Sequence, residues 1–157
     1  MFERAVSSYT GNLADIKKEL AEGHFFRAYN YFYLLKFFGG VPVVTKVLDV
    51  TSPELYGKRN SRYEVVNLIL SDLDEAIAGL PLEQNITSAD KGKISKQAAQ
   101  AFKARVLLYE ATWRKYNGTS TDFEGSAGPA SDQVNAFLEE SVQLSETVMG
   151  DAAYSLW

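Results

Sequence analysis

The 157-residue chain has no cysteine, which excludes disulfides, thiolate nucleophiles and cysteine-ligated metals. It has a single histidine, His24, so the histidine pairs of zinc peptidases and any evident nucleophile–histidine couple are absent. Charge of one sign is also lacking. A net charge of −4 creates no global field that would gather nucleic acid or an anionic membrane. No apolar run reaches the roughly 20 residues that span a bilayer, and the opening MFERAVSSYTG has none of the apolar character of a signal peptide. Gly92-Lys93-Ile94-Ser95 matches only the end of a phosphate-binding loop, because Thr87 stands where the leading glycine is required. Neither a cofactor nor a metal is expected, and no catalytic residue is assigned.

Aromatics are abundant. Eight of the fourteen residues from Phe25 to Phe38 are Phe or Tyr, in a stretch too long and unbroken for a strand. They point in nearly every direction, the pattern of a helix covered by protein on most sides. Phe25, Ala28, Tyr29 and Phe32 form one face, and the small Ala28 admits a neighbouring helix. Gly39 supplies a left-handed stop, and Pro42 holds Val41 extended. This segment is therefore expected to be the central element of an all-α core.

Around it the chain reads as further helices. Residues 1–10 look like the end of a helix, and Asn12 or Asp15 is placed to cap the next one. Gly23 inside that helix suggests a kink or close packing. Residues 41–60 form a long loop with a turn at Ser52-Pro53. Ser61 and Glu64 make a capping box. The helix that follows buries Val66, Ile69, Leu73, Ala76, Ile77 and Leu80 and leaves Asp72, Asp74 and Glu75 on its wet side; Gly79 and Pro81 close it. Ser95 caps a helix from Lys96 to about Tyr116, with Ala98, Ala101, Phe102, Arg105, Leu108, Tyr109 and Thr112 on its inward face. Residues 118–130 form a flexible linker rich in Gly, Ser and Thr. Ser131 caps a last helix that turns Val134, Phe137, Leu138, Leu144 and Val148 inward and stops at Gly150. The tail carries apolar Tyr154, Leu156 and Trp157 with nothing after them to bury them.

Helix starts near 61, 95 and 131 recur at about the length of a tetratricopeptide unit, but each interval holds one helix rather than two. The expected architecture is a single domain, 1–157, of antiparallel helices in a tetratricopeptide-like stack with long surface loops.

Several polar residues call for a role. His24 reads as structural. Lys91, Lys93 and Lys96 gather at a helix start and read as a solvated surface rather than an anion site. Arg27 and Arg105 lie on apolar faces, and a buried guanidinium must be paired; Arg27 is expected to meet Asp72 or the neighbourhood of Glu22. Tyr56, Trp113 and Tyr116 sit at helix or loop ends, where rings can stack on sugar faces or simply pack.

The segment E-G-H-F-F-R-A-Y-N-Y-F followed by F-G-G-V-P-V-V resembles the signature of the SusD/RagB family. The match rests on Glu22, Phe26, Arg27, Ala28, Tyr31, Phe32, Gly39, Gly40, Val41 and Pro42. Arg59, Ser61, Glu64 and Val65, then Ile69, Asp72, Leu73 and Ala76, are similar to the family's second block. GKISKQAAQAFKARVLLY, from Gly92 to Tyr109 and including Arg105, is similar to the third, with Lys93 where arginine is common. Phe137 to Leu156 is similar to the following helix, so the resemblance covers about residues 20–157. It implies the helical, scaffolding portion of a longer, non-enzymatic outer-membrane lipoprotein. Such a protein faces outward, captures glycans or other nutrients, and works with a SusC-like TonB-dependent transporter. The lipid anchor and much of the glycan site would lie outside these residues, and the matching motifs assign no glycan contact. The alternative from the residues alone is an intracellular helical-repeat adaptor that binds protein partners.

Overall fold

The structure is a computed structural model that describes residues 8–12, 16–119, 129 and 131–154. The expectations for residues 1–7, for Asp15, for nearly all of the 118–130 linker, and for Leu156 and Trp157 fall outside those residues. Among the described residues the fold is built on α1 (Lys17–Phe38), α2 (Arg62–Gly79), α3 (Lys96–Asn117) and α4 (Val134–Met149). Short 3₁₀ turns occur at Pro53–Leu55, Glu83–Asn85 and Ser88–Asp90, and the described residues contain no strand.

Each helix packs on its neighbours in sequence, α1 on α2, α2 on α3 and α3 on α4. Every pair is antiparallel. Gly40, after α1, meets Arg62 at the start of α2, while Arg27 meets Asp72 further along. Arg62 reaches Glu110 late in α3, and Lys103 reaches Asp74. Arg114 reaches Gln133 before α4, Ser141 bonds Ala104, and Gln97 bonds Asp151 after it.

Local chemistry sets the boundaries. Ser61 accepts from the Glu64 amide while Glu64 accepts from the Ser61 amide, the reciprocal box read in the sequence. Ser95 accepts from the Ala98 amide. Gly39 ends α1 at φ 68°, and its amide donates to Leu35. Gly40 has no room for a side chain, since a Cβ there would lie 2.2 Å from the Asn60 carbonyl oxygen. That close approach lets the chain fold back after the long loop. The start of the loop is pinned, with the Val44 amide donating to the Tyr31 hydroxyl at 2.7 Å and the Val43 amide to the Asn60 side chain.

One boundary expectation is corrected. Ile16, which makes no side-chain cap, precedes α1, and α1 is helical through Gly23. Ser131 does not cap α4. The helix begins at Val134 after Gln133 at φ 58°, and the Asp132 carboxylate accepts from the Val134 amide. Arg114 donates to the Asp132 carbonyl and the Gln133 side chain, which holds this turn two residues later than Ser131 would.

Phe25, Ala28, Phe32 and Leu35 of α1 join Val66, Ile69, Leu73 and Ala76 of α2, Val106, Leu107 and Ala111 of α3, and Phe137 of α4 in one core. Two expected faces are corrected here. Within the described residues α1 is an edge helix rather than a central one, with Phe26, Tyr29, Tyr33, Leu34, Phe37 and Phe38 exposed. The buried stripe of α3 is Ala99, Val106, Leu107, Glu110, Ala111 and Arg114, whereas Ala101, Arg105, Leu108 and Thr112 of the expected stripe are exposed. The large apolar residues of α3 lie on two sides, and the charged pair on the inner side hid the true core face from a reading by hydrophobicity.

Candidate functional surface

Three ionic clusters tie the helices together. Arg27 makes a two-pronged pair with Asp72, Nε to Oδ2 and Nη2 to Oδ1, both at 2.7 Å. The His24 ring nitrogen Nδ1 lies 2.7 Å from the same Oδ1. Asp72 is buried, so its place on a wet face is corrected; Asp74 and Glu75 are exposed as expected. The partner expected for Arg27 is borne out in Asp72. Glu22 takes no part in that pair, and its Oε1 is buried without a hydrogen-bond partner.

The second cluster escaped the sequence reading. Glu110 is wholly buried between two guanidinium groups. Arg62 donates through Nε (3.0 Å) and Nη2 (2.7 Å) to Oε2, and Arg114 through Nε (2.8 Å) to Oε1. Both guanidinium groups also lie against rings. Arg62 lies 3.9 Å from the centroid of Trp113, and Arg114 lies 4.8 Å from Phe137 and 5.1 Å from Tyr63. Its signal was present as an i,i+4 Glu–Arg pair falling on the stripe of Leu107 and Ala111. In the third cluster, buried Lys103 bridges Asp74 at 2.6 Å and Glu140 at 2.5 Å. Burial acts to lower the lysine pKa, but the two carboxylates outweigh it and the pKa is raised.

Of the lysines at the start of α3, Lys93 is paired at the surface. Asp90 pairs with Lys93 at 2.6 Å and with Lys18 at 2.9 Å, and those two charges, Lys93 first, hold its carboxyl down at about 2. Among the described residues no group of three His, Asp or Glu is arranged to hold a metal, and no helix is long and apolar enough to cross a membrane.

The open side of α1 and α3 is different in kind. Phe26, Tyr29, Tyr33 and Phe37 follow one another along α1 at spacings of three and four. Phe102, Arg105, Tyr109, Trp113 and Tyr116 do the same along α3. The stripes join where Phe102 sits 5.5 Å from Phe25, Tyr29 and Phe32, and Phe32 meets Tyr109 edge-on at 5.4 Å. The Tyr29 and Tyr33 rings are 4.9 Å apart; the Tyr33 hydroxyl raises the Tyr29 pKa, and the Arg105 charge opposes that rise. Arg105 was expected to be buried and paired. It is exposed instead, with no ion-pair partner among the described residues.

Trp113 and Tyr116 are brought together in an open cavity of about 460 Å³, with Arg105, Tyr109 and Asn117 among its walls. The structure does not bring Tyr56 to this cavity. It stands exposed in the 41–60 loop, its hydroxyl donating to the Val50 carbonyl. The polar rim is thin: Asn117 and Thr112 already donate to carbonyls of their own helix. Chemically the surface offers rings, several of them phenolic, and one guanidinium.

The described residues form an all-helical stack whose polar interior is spent on ion pairs between helices. Its family is shown by comparison: the SusD-like family model, described as starch-binding and associating with the outer membrane, matches residues 5–108, and the chain belongs to that family. It is 34% identical over 108 residues to a SusD-like protein, P38, of Formosa agariphila, covering 68% of this chain and 20% of that protein. A crystal structure of a SusD-like protein from Bacteroides fragilis superposes with a TM-score of 0.62 at 33% identity, covering 72% of this chain and 21% of its own. A structure solved with a xylogluco-oligosaccharide superposes with a TM-score of 0.71 at 25% identity, over 98% of this chain and 27% of its own. The chain therefore spans about a fifth to a quarter of the length of these relatives. The motif residues Arg27, Tyr31, Gly40 and Asp72 are all engaged in holding helices and loop together.

Proposed function

We propose that these 157 residues are the helical scaffold of a longer, non-enzymatic glycan-capture protein. That protein is lipid-anchored on the outward side of the outer membrane and serves a SusC-like TonB-dependent transporter. The observation that carries the proposal is the family match over residues 5–108 together with the short share of its relatives' length that the chain represents. The fate of the motif side chains supports a scaffolding role. Arg27 and Asp72 close a helix pair, Gly40 admits the return of the loop, and Tyr31 fastens Val44, leaving none of them for a ligand. The Trp113–Tyr116 cavity is the surface with stacking rings; of its polar wall, Thr112 and Asn117 already donate to carbonyls of their own helix.

The test is affinity purification of the full-length protein from outer membranes, followed by a glycan array. Co-purification of a TonB-dependent barrel and retention of a neutral or acidic glycan are expected. Fractionation with the cytosol and no barrel would favour the adaptor instead.

A further inference from the structure

Of the chain's asparagines only Asn117 is followed by glycine. Glycine has no side chain to screen its amide nitrogen, and its backbone turns freely. That nitrogen can reach the side-chain carbonyl carbon of Asn117, Cγ, where the nitrogen of a larger residue is held off. Asn117 is the last residue of α3, and both it and Gly118 are exposed. Gly118 stands at φ 74°, with nothing within 4 Å of the place a Cβ would take. Two hydrogen bonds hold the pair in its present geometry. Asn117 Nδ2 donates to the Trp113 carbonyl and the Gly118 amide to the Arg114 carbonyl, both at 2.8 Å. Both belong to the last turn of the helix, where fraying takes little free energy. A single opening of that turn releases the leaving amide and the attacking nitrogen together. The other asparagines lack one or more of these conditions. Asn30, Asn67 and Asn135 lie within helices, and Asn12 and Asn85 precede Leu13 and Ile86, whose side chains screen the nitrogen. Asn60 precedes the small Ser61, but its Oδ1 accepts from the Val43 amide and the Ser61 amide donates to Glu64.

We infer that Asn117-Gly118 is a site of spontaneous covalent modification, at which the asparagine amide is lost through a cyclic imide. The Gly118 nitrogen gives up its proton and bonds to Asn117 Cγ. The bond from Cγ to Nδ2 breaks, and the departing nitrogen takes that proton and leaves as ammonia. Water then opens the imide. Cleavage between Cγ and the nitrogen gives aspartate, and cleavage on the main-chain side gives isoaspartate, with the backbone rerouted through Cγ. Water is the sole co-reactant, and nothing is oxidised or reduced. Either product sets a carboxylate at the negative end of the α3 dipole and removes the donor to the Trp113 carbonyl. Isoaspartate also adds one carbon to the main chain at the end of α3, where Arg114 holds the Asp132 carbonyl and Gln133 ahead of α4. The modification loosens this joint as the protein ages, with no ligand or partner required.

The test is peptide mapping by mass spectrometry of the full-length protein held in warm, mildly alkaline buffer. The Asn117 peptide is expected to gain one mass unit ahead of the Asn60 and Asn85 peptides, with isoaspartate exceeding aspartate. Unfolding in urea is expected to speed that gain several-fold, since the last turn then no longer has to open. The gain is expected to be lost in Asn117→Gln, whose longer side chain closes the five-membered ring no more. A first gain at Asn60 or Asn85 would overturn the site, as would an Asn117 peptide still unchanged once the urea-unfolded protein has converted. Aspartate formed without isoaspartate would overturn the imide route.

Discussion

The inner and outer sides of α3 use the same residue types to opposite effect. Inside, Arg114 lies between Phe137 and Tyr63 and donates to Glu110; outside, Arg105 stands beside Tyr109 and Tyr29 with no carboxylate among the described residues. Arginine among aromatic rings is therefore not a signature of one role. The carboxylate decides. Where one is supplied, the cluster is a finished part of the fold. Where none is, the surface is left for something else.

Substitutions sharpen that contrast. Glu110→Ala removes the carboxylate shared by two buried guanidinium groups and is expected to cost about 3–5 kcal/mol in chemical denaturation. Leu73→Ala, at the fully buried centre of α2, is expected to cost about 2–5 kcal/mol. Arg27→Met leaves Asp72 with only part of its hydrogen bonding, for a loss of about 2–3 kcal/mol; an unchanged melting temperature would break the account of that pair. Ser61→Ala removes one half of a capping box and is expected to cost about 1 kcal/mol. On the outer side, Phe37→Ser in the 157-residue chain is expected to change stability by no more than about 0.5 kcal/mol. A loss as large as that of Leu73→Ala would erase the distinction between the two sides.

The smallest effect is electrostatic. Lys93 and Lys18 depress the Asp90 carboxyl to about 2, below its unfolded value. Its contribution to stability is present above the ordinary carboxylate range and is lost as pH falls through about 2. An NMR titration of the Asp90 side chain in the wild-type and Lys93→Ala chains would register the rise in that midpoint.

How much of this was legible in the sequence depended on whether the signal was local. The capping box at Ser61 and Glu64, the Ser95 cap and the Gly39 stop each involve a few neighbouring residues, and they were readable as written. The family motif placed Arg27 and Asp72 in the right blocks, and the need to pair a guanidinium joined them. The inner face of α3 was not legible, because hydrophobicity points to Phe102, Leu108 and Tyr109 while Glu110 and Arg114 are buried by pairing across helices. The covering of α1 on most sides was read from its composition, and within the described residues it holds only on the side facing α2 and the Phe102 and Tyr109 rings of α3. For the candidate surface, Trp113 and Tyr116 were singled out one by one; their meeting in one cavity, apart from Tyr56, depends on the helical register and on Arg62 lying against the Trp113 ring.

The central claim is that these residues build a platform and do not themselves hold the captured nutrient. The direct measurement is a glycan array probed in parallel with the 157-residue chain and with the full-length protein. The account predicts signal from the full-length protein and none from the chain alone. Glycan binding by the 157-residue chain, abolished by Trp113→Ala, would contradict it.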